Sequence, residues 1–290
     1  MKKRYVCPAL FLIIIISISA DKDRFHGRFI ENFDGSASEY FNAKLKESEP
    51  DNRYVQGVNS KSEKGTTVMV LRIDPEAPVE PINGTEIISK NFTHFGSYSA
   101  RLKIPDVSDI QPDVGAVVGY FTYSMDNDGS LSEIDFEWLI ADPEIIYIGT
   151  WTGWEGNLLR TGRTINLAEG VIYNNSLFYD GTHFPLKGKA NMPETIQPIE
   201  NYNAASQFYT YGFDWHPDSI RWWMLHPATA DTIVLWNYSG SIYGIPEKPS
   251  HYRLNFWHTD EWAVETRPNS VERPLYPYEL EVDWMSYYPF

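Results

Sequence analysis

The chain has 290 residues, 39 acidic against 24 basic, for a formal net charge of −15. A protein this acidic is a poor partner for nucleic acid, whose binding rests on Lys and Arg neutralising phosphates, and it repels polyanions at long range, which weighs against sulfated or uronic polysaccharides. Aromatic residues make up 15% of the chain, with 10 Trp and 19 Tyr, enough to fill a core, to stack on sugar faces, or both.

The chain opens on MKKR, followed by an apolar run from Tyr5 to Ile18 and then Ser19 and Ala20. A basic start, a short apolar stretch and small residues at its end are the parts of a secretory signal peptide, and the run is short for a membrane span. The expectation is a signal over 1–20, cleavage near Ala20 or Asp21, and a secreted protein with no membrane attachment afterwards. Removing Lys2, Lys3 and Arg4 takes the charge from −15 to −18. The only cysteine, Cys7, lies in this leader, so the mature chain must hold together without disulfides. Residues 21–290 show no repeat, low-complexity stretch or linker, and are read as one domain acting as a monomer.

Residues 21–28 and 44–66 read as irregular, the second stretch being polar and surface-bound. The remainder is a series of short β segments bounded by Gly, Pro, Asn and Asp. In chain order these are VMVLRID (68–74), GSYSARLKI (96–104), GAVVGYFTYS (115–124), SEIDFEWL (132–139), EIIYIGTWTG (144–153), QFYTYGFDWH (207–216), SIRWWML (219–225), DTIVLWNY (231–238), YRLNFWH (252–258) and LEVDWMSYY (280–288). They are rich in Val, Ile, Tyr, Trp and Thr. No segment keeps a 3.6-residue apolar period over three turns. The pattern predicts an all-β sandwich or barrel.

SEIDFEWL stands out. Side chains alternate across a strand, so Ile134, Phe136 and Trp138 face one way and Glu133, Asp135 and Glu137 the other. A solvated face on an ordinary amphipathic strand has the same alternation. Three like charges about 7 Å apart nevertheless repel one another, and a strand needing only solubility would mix its charges. Crowded carboxyls push their pKa values up and apart, as an acid–base pair requires near neutral pH. Retaining glycoside hydrolysis uses two such groups, a nucleophile and an acid/base.

EIDFE matches the Glu-x-Asp-x-Glu pattern of glycoside hydrolase family 16, which includes lichenases, laminarinases and related β-glucanases. FGSYSARLKIP (95–105), GAVVGYFTYS, FYTYGFDWHPDSIRWWM (208–224), RLNFWH and LEVDWMSYY resemble, in order, further strands of that family across residues 28–290. The resemblance implies a β-jelly-roll sandwich of two curved antiparallel sheets, concanavalin A-like, with an open concave cleft. It implies a retaining endo-β-glucanase acting on a polysaccharide, with Glu133 as nucleophile, Asp135 as its support and Glu137 as general acid/base. A cell-wall transglycosylase using the same covalent intermediate, or a glycan-binding jelly roll without turnover, are the alternatives. No residue is inserted between Asp135 and Glu137, so the chain resembles the regular-strand branch rather than the bulged one.

Asn255 and Trp257 share a strand face and are expected in the cleft, with Trp151 beside the acids, Trp154 at the rim, and Tyr123 and Trp262 as further sugar contacts. The sequence departs from the lichenase pattern at Leu131, Ser99, Gly149 and HPATAD (226–231), which puts strict lichenase specificity in doubt. Six histidines outside the N-terminal region are scattered without ligand spacing, and no cofactor is required. Some family members hold a structural calcium through the Asp of the closing strand, here Asp283. Sequons occur at Asn83, Asn91, Asn174 and Asn237.

Overall fold

The computed structural model describes residues 25–44, 53–75, 84–154, 156–239 and 244–290. The expected leader and the sequon at Asn83 lie outside them. Among the described residues the strands are β1 (Phe29–Glu31), β2 (Phe41–Lys44), β3 (Tyr54–Asn59), β4 (Thr67–Ile73), β5 (Thr85–Ser89), β6 (Gly96–Lys103), β7 (Ala116–Met125), β8 (Leu131–Leu139) and β9 (Ile145–Trp154). There follow β10 (Asn157–Asn166), β11 (Val171–Tyr179), β12 (Thr182–Pro185), β13 (Tyr209–His216), β14 (Ser219–Leu225), β15 (Thr232–Ser239), β16 (His251–His258) and β17 (Tyr278–Pro289). One 3-10 turn, Gly188–Asn191, is the helical element among them.

Two antiparallel sheets pack face to face. One runs β15-β14-β13-β6-β17-β4-β3, with β1 added to β17; the other runs β12-β11-β10-β9-β8-β7-β16-β5-β2. All ten strands predicted from the sequence are present. The stretch 44–66, expected to be irregular, contains β3. Among the described residues this strand pairs with β4 alone, across a bulge between Val55 and Val58 where Gly57 adopts φ 70°. An edge strand with one partner and a polar exposed side carries little hydrophobic alternation. The strands β10 and β11 were also illegible, and both border the acidic strand's groove.

The core lies between the sheets. Ile134, Phe136 and Trp138 of β8 are fully buried there, against Tyr211, Phe213 and Trp222 of the opposite sheet. Trp138 meets Tyr211 edge-on at 4.8 Å. The two sheets are also joined by polar contacts. The indole Nε1 of Trp222 donates to the backbone oxygen of Asp135 at 3.0 Å, and the Tyr252 hydroxyl donates to the Ser99 oxygen at 3.0 Å.

Arg163 is the least expected tie. Its side chain points into the core from β10, and the residue is 1% exposed. It has no carboxylate partner among the described residues. Its guanidinium donates instead to the Pro193 and Leu235 oxygens at 2.9 and 3.0 Å and to Asn191 Oδ1 at 2.8 Å. It also lies 5.3 Å above the Trp236 ring. It thereby binds the acid-bearing sheet to β15 and to the turn before Met192. Removing it strips buried carbonyls of their donor, at about 1–3 kcal/mol each. Arg163→Ala is expected to lower the unfolding free energy by about 3 kcal/mol or more; urea titration at pH 7 checks this, and a loss under about 1 kcal/mol would mean that water replaces the guanidinium.

Candidate active site

The site is a groove over the outer face of the sheet that carries β8. Strand β8 pairs without a register shift to β7, from Val117↔Leu139 to Met125↔Leu131, and to β9, from Leu131↔Gly153 to Glu137↔Tyr147. The strand is therefore regular, as the spacing of the acids predicts. Since its apolar residues are sealed in the core, Glu133, Asp135 and Glu137 must face the groove. Asp135 is 7% exposed, and the two glutamates are half-buried.

Glycines clear space around the acids. Across the sheet, Asp135 is in register with Gly149 and then Gly162. A Cβ on Gly149 would stand 2.3 Å from the Thr161 oxygen. The backbone thus comes too close for a side chain, which explains one departure noted in the sequence. On the other side Glu137 is in register with Gly119, and a Cβ there would meet Asn255 Oδ1 at 2.4 Å. The amide of Asn255 lies across this gap. An open hollow of about 460 Å³ beside the acids is lined by Asp135, Glu137, Tyr147, Trp151, Arg160 and Asn174, among others.

Burial dominates the electrostatics. It pushes the Glu133 carboxyl up to about 8, helped by the charge of Glu137, while Arg253 and Arg160 pull the other way. It raises Glu137 to about 7, against the pull of Arg160. Asp135 is raised well above the usual carboxylate range by burial first and then by Glu133 and Glu137. The hydrogen bond between Asp135 and Glu133 raises the former and lowers the latter.

The expected sugar contacts divide. Trp151 is in register with Glu133 and lines the hollow, but the Arg160 guanidinium lies over its ring at 5.1 Å. Tyr123 is in register with Glu133 on the other side, with Arg253 over its ring at 4.8 Å. Each ring therefore meets a guanidinium and is not a bare platform. Asn255 is 6% exposed, and its Oδ1 has no hydrogen-bond partner, a buried acceptor facing the groove. Trp257 and Trp262 pack with Val264, Tyr147 and Leu139 into a small second cluster, where the loop after β16 closes the groove beyond Glu137. Tyr147 meets Trp262 edge-on at 4.9 Å and donates to Glu265 Oε2 at 2.5 Å. Trp154 is 54% exposed at the end of β9, at the rim.

The residues at Asp283 do not fit calcium. Arg101 Nη1 donates to its Oδ2 at 2.6 Å, and Nη2 of the same guanidinium pairs with Glu63 at 2.8 Å. A guanidinium thus occupies the carboxylate that a hard cation would need. Among the described residues no three His, Cys, Asp or Glu side chains gather as a metal site. Arg160, Arg253, Tyr147 and Asn174 were not expected at the groove. Asn174 is one of the sequons, exposed and in the hollow, while Asn91 is half-buried and Asn237 exposed elsewhere.

Residues 48–169 match the family model of glycosyl hydrolases family 16. The chain resembles glycoside hydrolase family 16. A beta-glucanase of Bacillus subtilis (strain 168) is 26% identical over 201 residues, covering 67% of this chain and 58% of the relative's length. The solved structure of Bacillus licheniformis beta-glucanase matches at a TM-score of 0.56 and 19% identity, covering 91% of this chain and 99% of that one. A Zobellia galactanivorans protein solved in complex with laminaritriose and laminaritetraose matches at 0.51 and 13%, covering 91% and 99%. The fold is a jelly-roll sandwich like that of these structures, with the acids on the groove-bearing face of one sheet.

Raised carboxyls carry a stability cost with a definite sign. The folded state holds protons that the unfolded state gives up near pH 4.5, so stability falls as pH rises from there to about 8 and then levels off. Glu133→Gln removes part of that cost. Its unfolding free energy is expected to exceed wild type by more than about 1 kcal/mol at pH 8.5, with the difference shrinking toward pH 4; denaturant titrations at the two pH values check this, and a variant less stable at pH 8.5 would refute it.

Proposed function

We propose that the protein is an exported, endo-acting glycoside hydrolase that cleaves a β-glucan with retention of configuration. The carrying observation is the set of three carboxyls on one face of a regular strand, crowded and desolvated in an open groove. The family 16 match and the beta-glucanase names of its relatives support the reaction class. The basic-then-apolar start of the chain supports export.

In the first step a carboxylate oxygen of Glu133 attacks the anomeric carbon as the glycosidic C–O bond breaks, and Glu137 gives its proton to the departing oxygen. In the second, the Glu137 carboxylate takes a proton from water while that water attacks the anomeric carbon and releases Glu133. Asp135 stands between the two glutamates on the same strand face, its carboxyl pushed well above the usual range by burial, and supports the nucleophile's position. Asn255, in the same row as Glu137 behind Gly119, is the polar side chain nearest the acid/base from β16. Arginines over the two rings beside Glu133 favour a sugar held there by hydrogen bonds over one held by stacking.

Glu133→Ala and Glu137→Gln are each expected to lose at least about 10²-fold in kcat on mixed-linkage β-glucan, laminarin or xyloglucan, with circular dichroism unchanged. Added azide should restore turnover in Glu133→Ala by forming the inverted glycosyl azide. Azide rescue in neither variant, or an inverted anomer from the wild type by NMR, would sink the retaining assignment.

A further inference from the structure

Two arginines approach Glu133 from opposite sides of β8. Arg160 stands two strands away in the same row, through Trp151, and its guanidinium lies over the Trp151 ring at 5.1 Å. Arg253 stands two strands away on the other side, one row along, and its guanidinium lies over the ring of Tyr123, the residue paired with Glu133. Each side chain folds back toward β8 and is held there by an aromatic face. The two differ in their neutralisation. Arg253 Nη1 pairs with Glu86 at 3.0 Å, whereas Arg160 has no ion pair among the described residues. A guanidinium keeps its charge at every working pH, and near buried groups that charge is weakly screened.

We propose that Arg160 and Arg253 are positioning residues that bracket Glu133 and favour its charged form against the crowding and burial of the groove. This rests on the glycosidase reading of the groove. The groups facing Glu133 are Asp135 and Glu137 on its own strand, Tyr123 on β7, Trp151 on β9, Arg160 on β10, and Arg253 on β16 with Glu86 of β5 behind it. His251 of β16 is in register with Tyr123, and burial lowers its pKa, so it adds no charge near neutral pH. Around Glu137 stand Gly119 with Asn255 beyond it, Tyr147 with its partner Glu265, and Arg160. The bracket is therefore asymmetric: Arg253 bears on Glu133, and Arg160 bears on both glutamates.

That asymmetry gives each arginine its own signature in the pH dependence of kcat/KM, where the acid limb reports the nucleophile's ionisation and the alkaline limb the acid's proton. Arg253→Gln should move the acid limb up by about half a pH unit or more and leave the alkaline limb in place. Arg160→Gln should move both limbs up, and Arg160→Lys should restore them. Limbs that stay in place while KM rises would overturn the proposal and make the arginines substrate ligands, an acidic sugar included.

A second readout needs no substrate. Carboxyl-13C-labelled glutamate, with the Glu133 signal assigned through Glu133→Gln, reports that group's titration directly by NMR. It should titrate at higher pH in both arginine-to-glutamine variants, and an unchanged titration overturns the bracket whatever the activity. A shifted titration in a protein that cleaves no glycan would uphold the bracket and sink the glycosidase reading alone.

Discussion

The placement of Ile134, Phe136 and Trp138 between the sheets is the constraint on which the site depends. A strand's side chains alternate, so a slip of one residue would turn these three outward and drive Glu133, Asp135 and Glu137 into an aromatic core. Burying three carboxyls without partners costs far more than any single contact recovers. The register of β8 is therefore fixed from the core side, and the acids inherit their positions from it. The Trp222 indole adds a point of attachment, since it reaches from the opposite sheet to the backbone oxygen of Asp135 itself. The middle residue of the acidic set is thus held by its main chain as well as by its neighbours.

The groove is assembled from what lacks a side chain as much as from what has one. Gly119, Gly149 and Gly162 flank the acids in register, so the carboxyls are crowded by burial and by one another without being covered. Such a site works against the stability of the fold: the molecule keeps desolvated carboxyls where Gln would be easier to hold. The cost is offset where the two sheets meet, by a continuous aromatic core and by the Arg163 ties between β10 and β15.

The aromatic content divides between these two tasks. Trp138, Trp215, Trp222 and Trp236 are fully buried structural residues, and Trp222 stacks on Trp236 at 4.8 Å. Trp151, Trp154, Trp257 and Trp262 lie on or beside the groove, but two of them, Trp257 and Trp262, are committed to the cluster that closes one end. Arginines attend Trp151 and Tyr123. The chain is acidic as a whole, yet cations stand next to its most acidic strand. Net charge describes the field at a distance, whereas a guanidinium two strands away acts within a Debye length.

The acidic strand was legible in the sequence because its alternation is strict: each carboxyl is separated by a residue that only a core accepts, and period 2 allows one arrangement of the two sets. The other nine predicted strands were legible from their β-branched and aromatic content and the turn residues between them. Strand β10 was not, because NLLRTGRTIN is polar on both faces, with Arg163 turned into the core where an apolar residue would mark the pattern. Strand β11 was hidden by the bulge opposite Thr164 and Ile165, which breaks its alternation. Arg160 went unnoticed with β10, for nothing local distinguishes it from the other basic residues. Its place beside Glu133 follows from the pairing of β8 with β9 and of β9 with β10, and such long-range register is decided by packing between the sheets. Local sequence encodes which way a side chain faces; tertiary structure alone decides what it faces.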